Sequence, residues 1–401
     1  MISLELNSID YALLGALAFF FLAQVYWYSR YMAAPARRIR KDRKANITHQ
    51  TSDINEVPGV SVILSAHNES YNLSQYLQVL LTQDYPTYEV IVVDDGSEDE
   101  TRTTIERYMV HDPRLRMTFV PYGARVRSTK KLAITLGAKA AQYDYLLLTD
   151  ADCCPESPHW ISEIMKGFQT SDSKHQAPDI VLGFGAYFCE KGHINRLVRF
   201  DTLFNGLHYL GSALCGHPYM GVGRNLAYRK SLFFESGGFT RLMDNRAGDD
   251  DLFVNHVATR ENTTVVLSRD SMTWSIAKKT MKEWLQQKRR HLSVSPAYRT
   301  GTKIRLTLEP ITRGLFYALV LGIVVYELSY NFTPYTVPLT LFIVLGLFLL
   351  RWILQTAIIN VSARRMGQQP FGMFSILWFD IALPLVNLVM LAVPQRKNRK
   401  W

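Results

Sequence analysis

Cysteine is scarce: Cys153, Cys154, Cys189 and Cys215 are the four in 401 residues, two of them adjacent and none in CxxC spacing. That pattern excludes a zinc-ribbon or zinc-finger site and reads as reduced, structural thiols of a cytosolic compartment. Glycine is missing from the first β-type run and its exit, VSVILSAHNES at 60–70, so the glycine-rich phosphate loop that a nucleotidyltransferase needs there is absent. The first apolar run lacks both a basic n-region and a small-residue cleavage site, so a cleaved signal peptide is not expected. Acidic residues are in the minority, 35 against 45 Lys and Arg, for a net charge of +10. No RNA-binding signature accompanies this excess. The basic residues crowd beside apolar segments, which points to anionic membrane lipid and not to nucleic acid.

What the sequence has in quantity is apolar runs, 48% of residues being hydrophobic. Residues 11–28, YALLGALAFFFLAQVYWY, carry no charge and are about long enough to span a bilayer, with tyrosines and Trp27 at the exit. Arg30, Arg37, Arg38, Arg40, Lys41, Arg43 and Lys44 follow, against Glu5 and Asp10 before, so the positive-inside rule predicts a cytoplasmic domain after the span. Three more apolar segments are expected at about 311–330, 337–359 and 372–393, interrupted by Pro334, Pro338, Arg364, Arg365 and Pro370. Three full crossings leave Arg396, Lys397, Arg399 and Lys400 on the outer side, against the same rule. A last segment made re-entrant by Asp380 and Pro384 would remove the conflict; three full spans are preferred.

Between these regions the pattern is α/β. Residues 45–58 read as a linker; then come a strand at 60–66, a helix at 72–83, a strand and turn at 89–97 and a helix at 99–110. Strands alternating with helices and closing on polar residues predict a mostly parallel sheet, with ligands at the carboxyl ends of its strands. The run DYLLLTDAD at 144–152 ends in Asp150 and Asp152, one residue apart, where they can share a divalent ion. A solvated turn or a helix cap is the other reading of such a pair. Asp94 and Asp95 fall at the end of the second strand, where a cap with Ser97 is the alternative. A strand is expected over 179–187, a helix over 194–214, and a basic amphipathic helix suited to the membrane interface over 274–295, which carries Lys278, Lys279, Lys282, Lys288, Arg289 and Arg290 together with Trp274, Ile276, Trp284 and Leu285.

The ordered set SAHNES (65–70), VVDDGS (92–97), KKLAITLG (130–137), TDAD (149–152), GDDDL (248–252) and QKRRH (287–291) resembles the motif series of family-2 inverting glycosyltransferases of the GT-A fold. Cellulose, chitin and hyaluronan synthases and ceramide glucosyltransferases share it. The resemblance implies an α/β, Rossmann-like GT-A catalytic domain with N-terminal and C-terminal transmembrane helices. Its boundaries fall at 1–30 (membrane helix), 31–58 (basic segment and linker), 59–272 (catalytic domain), 273–300 (interfacial helix) and 301–401 (membrane region).

Carried onto these positions, the resemblance implies that Asp94 or Asp95 holds the base and ribose of a nucleotide-sugar, with Ala66, His67, Asn68 and Glu69 lining the pocket, Lys130 facing the nucleotide or its diphosphate, and Asp150 also among the nucleotide-sugar-binding residues. Asp150 and Asp152 would hold Mg²⁺ or Mn²⁺. Asp249, or Asp250 on a shift of one, would be the base that deprotonates the acceptor hydroxyl; three adjacent aspartates would also suit a helix N-terminus. Arg224, Gln287, Arg290 and His291 would meet the acceptor or the diphosphate. The chain departs from the family at His67 (more often Tyr), Thr135 (Asn) and His291 (Trp).

The expected partners are a nucleoside-diphosphate sugar, above all a UDP-sugar, a lipid-linked or envelope-glycan acceptor, and membrane lipids. The expected location is a bacterial inner membrane with the catalytic domain cytoplasmic. A processive polysaccharide synthase is the neighbouring alternative, and a membrane protein that binds nucleotide-sugars without turnover is the alternative of another class.

Overall fold

The computed structural model describes residues 2–3, 6–44, 57–124, 126–169, 177–243, 247–331 and 337–392. Most of the expected linker, Pro334 and the basic residues after 393 lie outside these. In chain order the elements are β1 (Ile2–Ser3), α1 (Ser8–Trp27) with a π-helical turn at Tyr28–Met32, α2 (Ala34–Lys44), β2 (Val60–Ala66), α3 (Ser70–Leu81), β3 (Tyr88–Asp94), α4 (Thr101–Met109), β4 (Leu115–Phe119), α5 (Thr129–Ala140) and β5 (Tyr145–Leu148). Then follow β6 (Cys153–Pro155), α6 (Trp160–Gln169), β7 (Ile180–Leu182), β8 (Gly185–Tyr187), α7 (His193–Leu214), β9 (Leu226–Arg229), α8 (Lys230–Glu235), α9 (Asp251–Val257), β10 (Thr263–Val265), β11 (Thr273–Ser275) and α10 (Met281–Leu292). The chain continues with α11 (Thr300–Tyr330), β12 (Val337–Pro338), α12 (Leu339–Arg365) and α13 (Met373–Ala392). Two compact units result, residues 35–298 and residues 1–34 with 299–401.

The first of these units is built on a seven-stranded sheet of order β10-β7-β9-β5-β2-β3-β4, parallel except for β9, which runs antiparallel to both β5 and β7. Strands β2 and β3 are buried along nearly their whole length, which is why they read as continuous apolar runs and not as alternating ones. Leu73, Leu77, Leu80 and Leu81 form the inward stripe of α3, and Trp160, Ile161, Ile164, Met165 and Phe168 that of α6. Together with Val62, Leu64, Val90, Val92 and Leu147 they make one core, in which each fully buried aliphatic side chain contributes about 1.5–3 kcal/mol. Helix α5 lies close against the sheet because residue 137 is glycine: a Cβ there would stand 2.6 Å from Ile63 Cγ2.

Two expected elements are corrected. The strand expected over 179–187 is two strands in different sheets: β7 belongs to the seven-stranded sheet, whereas β8 joins a three-stranded sheet of order β6-β11-β8. Gly183 marks the switch. Its N–H donates to the Asn225 carbonyl at 3.0 Å, and the Asn225 side chain fills the space a Cβ would need. The amphipathic helix expected over 274–295 begins only at Met281, where Thr280 caps it in a reciprocal box with Glu283. Trp274 lies instead in β11, paired with Cys154 on one side and Ala186 on the other, and Ile276 lies outside the helix. Lys288 also departs from a solvated basic face: it is buried and its ammonium donates to both carboxylate oxygens of Asp201 at 2.7 and 2.9 Å.

The second unit contains four helices long and apolar enough to cross a membrane, Ser8–Met32, Thr300–Tyr330, Leu339–Arg365 and Met373–Ala392. Leu17, Phe21, Phe316, Ile323 and Val344 pack among them, while Phe19, Leu321, Leu350 and Leu388 remain exposed, as lipid-facing side chains do. Helix α13 is continuous through Pro384, so the described residues hold a full third segment and not a broken one. Its Asp380 is buried inside an ionic cluster: Arg313 Nη1 donates to Oδ1 at 2.8 Å, Arg351 Nη1 to Oδ2 at 2.9 Å and the Tyr317 hydroxyl to Oδ2 at 2.6 Å. Arg313 also pairs with Glu309 at 3.0 Å, and Arg351 donates to the Gln24 carboxamide at 3.0 Å.

Candidate active site

The site is assembled at the carboxyl ends of β2, β3 and β5. Strands β2 and β3 pair in register so that Ala66 faces Asp94, and the Asp95 N–H donates to the Ala66 carbonyl at 2.8 Å. From this edge two turns interlock. His67 Nδ1 lies 2.7 Å from the Asp95 carbonyl, the Asn68 N–H donates to Ser97 Oγ at 3.0 Å, and the Glu98 N–H donates to Asn68 Oδ1 at 2.8 Å. Asn68 takes a left-handed φ of 56°, the one non-glycine to do so among the described residues. Asp94 Oδ1 accepts the Ser97 N–H at 3.0 Å, so the capping alternative holds for a turn and not for the start of α4. Burial raises the Asp95 carboxyl above its ordinary range despite a hydrogen bond from Thr129 at the start of α5. Glu69 is likewise raised, by burial and then by Asp152 and Asp150 against the hydrogen bond from Asn72. The same carboxylates therefore act on both groups of motifs.

The centre is a charge cluster between α5, the end of β5 and the turn before α9. Lys130 Nζ donates to Asp150 Oδ1 at 2.8 Å and lies 3.3 Å from Asp249 Oδ2. Burial alone would lower this ammonium, but Asp150, Asp249 and Asp250 outweigh it and raise it above its ordinary value. Burial pushes Asp150 up, yet Lys130 prevails and holds it below its usual range; Asp152 is raised by burial and by Asp150. Asp150, Asp249, Lys130 and Gly223 bound a space of about 10 Å³, about the room of one water.

Asp150, Asp152 and Cys153 bring one ligand atom each within 4.8 Å of the others. Burial lifts the Cys153 thiol well above its ordinary value, so its sulfur stays protonated and neutral. Two carboxylates with one of them burdened by the other are the hard oxygen donors that suit Mg²⁺ or Mn²⁺, and the donor set fits such an ion.

The three aspartates of GDDDL differ sharply. Asp250 caps α9: its Oδ1 accepts the Asp251 N–H and its Oδ2 the Gly223 N–H, each at 2.7 Å. Asp251 points inward, its Oδ1 accepting the Leu252 N–H at 2.7 Å and its Oδ2 the Tyr298 hydroxyl at 2.9 Å. Burial and then Asp250 push its carboxyl up to about 8. Asp249 alone has an oxygen, Oδ2, that is buried without a hydrogen-bond donor.

Arg224 lies over the Tyr187 ring at 4.4 Å and donates to the Ala186 carbonyl at 3.2 Å. Gln287 donates to the Tyr187 hydroxyl at 3.1 Å, so Tyr187 links the two expected acceptor residues. His291 is exposed as a residue, but its imidazole is crowded: burial, then Arg290 and Arg224, lower it to about 4 against the pull of Asp249. Lys131, Tyr187, Asp251 and Tyr298 were not expected here. Tyr298 gives no signal in the sequence, whereas Lys131 stands beside a motif lysine.

The fold is of GT-A type, and residues 61–235 match glycosyl transferase family 2. The poly-beta-1,6-N-acetyl-D-glucosamine synthase of Staphylococcus epidermidis (strain RP62A) is 30% identical over 117 residues, 29% of this chain and 27% of that protein. The probable glycosyltransferase YdaM of Bacillus subtilis (strain 168) is 23% identical over 286 residues, 69% of this chain and 66% of that protein. The chain thus spans about a quarter of the length of the first relative and just under two thirds of the second. Among solved structures, the mannosyltransferase PcManGT from Pyrobaculum calidifontis, in complex with GDP-Man and Mn²⁺, superposes with a TM-score of 0.50 at 17% identity, over 92% of this chain and 99% of that one.

Proposed function

We propose that the chain is a membrane-bound inverting glycosyltransferase that moves one sugar from a nucleoside-diphosphate sugar, above all a UDP-sugar, to a lipid-linked or envelope-glycan acceptor. Its catalytic domain would face the cytoplasm at a bacterial inner membrane. The observation that carries this reading is the contrast within GDDDL: Asp249 Oδ2 is buried, undonated and 3.3 Å from Lys130, while both oxygens of Asp250 accept backbone N–H groups. Asp249 is therefore the base, taking the proton of the acceptor hydroxyl as that oxygen attacks the anomeric carbon opposite the leaving diphosphate. The Lys130 ammonium stands between that carboxylate and Asp150, where it neutralises charge at the diphosphate end of the bond. Ala66, His67, Asn68, Glu69, Asp94 and Asp95 form the nucleotide side of the pocket; Arg224, Gln287, Arg290 and His291 form the side of the acceptor and diphosphate.

Asp150 and Asp152 would hold Mg²⁺ or Mn²⁺, which when bound stabilises the negative charge of the departing nucleoside diphosphate. PcManGT, solved with Mn²⁺, supports a divalent ion of this kind. A processive synthase is the second reading, favoured by the 30% identity to the poly-beta-1,6-N-acetyl-D-glucosamine synthase. Product length separates the two.

The test is nucleoside-diphosphate release by the full-length protein in detergent across a panel of UDP- and GDP-sugars, with Mn²⁺ or Mg²⁺ and with chelator. Asp249→Asn is expected to lower turnover about 10²–10⁴-fold. Asp250→Asn should fall far less, and Asp152→Asn should abolish the response to metal. Turnover by Asp249→Asn equal to that of the wild type would sink the assignment of the base; metal-independent release would sink that of the ion.

A further inference from the structure

The turn that carries Asp249 is held from outside by two side chains that the mechanism above does not use. Lys131 follows Lys130 in the first turn of α5 but reaches backbone carbonyls. It is fully buried, and its ammonium donates to the carbonyls of Leu242 and Ala247, each at 2.7 Å. A buried ammonium is costly unless acceptors surround it, and here one of them is two residues ahead of Asp249. On the other side, the buried Tyr298 hydroxyl donates to Asp251 Oδ2 at 2.9 Å, two residues beyond Asp249. Between these points the backbone is tightly constrained. Gly248 has φ 87°, and a Cβ at this position would stand 2.5 Å from Leu252 Cδ1. Asp250 is fixed through Gly223 and the Asp251 N–H, each at 2.7 Å. Asp249 is thus the one carboxylate of the three left undonated at a buried oxygen, on a turn whose two flanks are fixed by neighbours.

We propose that Lys131 and Tyr298 are positioning residues for Asp249, setting the turn at 247–251 so that its carboxylate meets Lys130 and faces the acceptor hydroxyl. This rests on the reading of Asp249 as the base. The chemistry demands such a brace, since a base misplaced by about 1 Å forfeits on the order of 10²-fold in rate. Lys131 acts through the Ala247 carbonyl and Tyr298 through Asp251.

The experiment uses the full-length protein in detergent with Lys131→Met, Tyr298→Phe, the double variant and Asp249→Asn. It measures kcat and donor KM with the donor found by the panel, and the Kd of UDP and of GDP in Mn²⁺. The expected result is a fall in kcat of about 10–10²-fold for Lys131→Met and several-fold for Tyr298→Phe, with donor KM and nucleotide Kd within about twofold of wild type. Because both act through one turn, the double variant should lose less than the product of the single losses. Unchanged kcat in both single variants overturns the proposal, and so does a loss of nucleotide affinity equal to the loss of kcat, which marks general disruption. If Lys131→Met does not accumulate as folded protein, Tyr298→Phe decides by the same split, its only change being one hydroxyl. Asp249→Asn separates the two readings: silent brace variants beside an inactive Asp249→Asn remove the brace alone, whereas an active Asp249→Asn removes the base.

Discussion

Three adjacent aspartates are chemically identical in sequence, and their surroundings assign each a different part. Asp250 is consumed by backbone N–H groups, Asp251 is buried against Tyr298, and Asp249 keeps a buried oxygen that accepts no hydrogen bond and faces the Lys130 ammonium. The Asp251 carboxyl has a consequence for stability. Raised to about 8 by burial and Asp250, against about 3.9 in an unfolded chain, it keeps a proton in the native state that the unfolded state has already lost. Its stabilising contribution is therefore full below about pH 4 and is lost as pH rises toward about 8. His291, lowered to about 4, has the opposite slope, but only below about pH 6.5. Urea denaturation between about pH 6.5 and 9 should thus show wild type losing stability more steeply than Asp251→Asn, which cannot titrate. Parallel curves for the two proteins would refute the protonated Asp251.

Among the elements, the membrane helices show how far local reading reaches. Apolar length predicts each span, but Asp380 and Pro384 make the last one doubtful when α13 is read alone. The partners that neutralise Asp380 are Arg351 and Arg313, 29 and 67 residues away in the chain and on two different helices. A carboxylate placed in hydrocarbon without a cation is costly; with two guanidinium groups it becomes a tie between helices. Asp380→Asn should destabilise the four-helix unit by about 3–5 kcal/mol, because it leaves Arg313 and Arg351 facing a neutral amide. Unfolding in graded SDS checks this, with the exposed Leu385→Ala as a control expected to change little. Equal behaviour of the two variants would mean the cluster carries no net stability. The opposite lesson comes from the segment at 274–295, where apolar residues set among lysines and arginines predict one long basic amphipathic helix. Pairing of β11 with β6 and β8 takes Trp274 into a sheet instead.

For the molecule as a whole, the charges flanking α1 argue for a cytoplasmic catalytic unit, and that orientation is open to a direct chemical test. Cys189 is an exposed cysteine in residues 35–298. A membrane-impermeant maleimide should leave Cys189 unlabelled in intact cells and label it once the membrane is permeabilised, with Cys189→Ser as the blank. Labelling of intact cells would put the catalytic unit outside and reverse the topology.

The alternation of strands and helices, the parallel character of most of the sheet, the apolar spans and the set of acidic motifs are all legible along the chain before any fold is known. These follow from local properties, since burial on both faces demands continuous apolar strands and a bilayer demands length. Tertiary structure decided which carboxylate stays open, which lysine meets carboxylates and which meets carbonyls, where 179–187 changes sheet, and how Asp380 is tolerated. Each of these depends on a partner brought close only by folding, Gly223 for Asp250, Tyr298 for Asp251, Ala247 for Lys131 and Arg351 for Asp380. Electrostatic and hydrogen-bond energies fall off over a few ångströms, so the chemistry of an ionisable side chain is set by neighbours in space that spacing along the chain does not disclose.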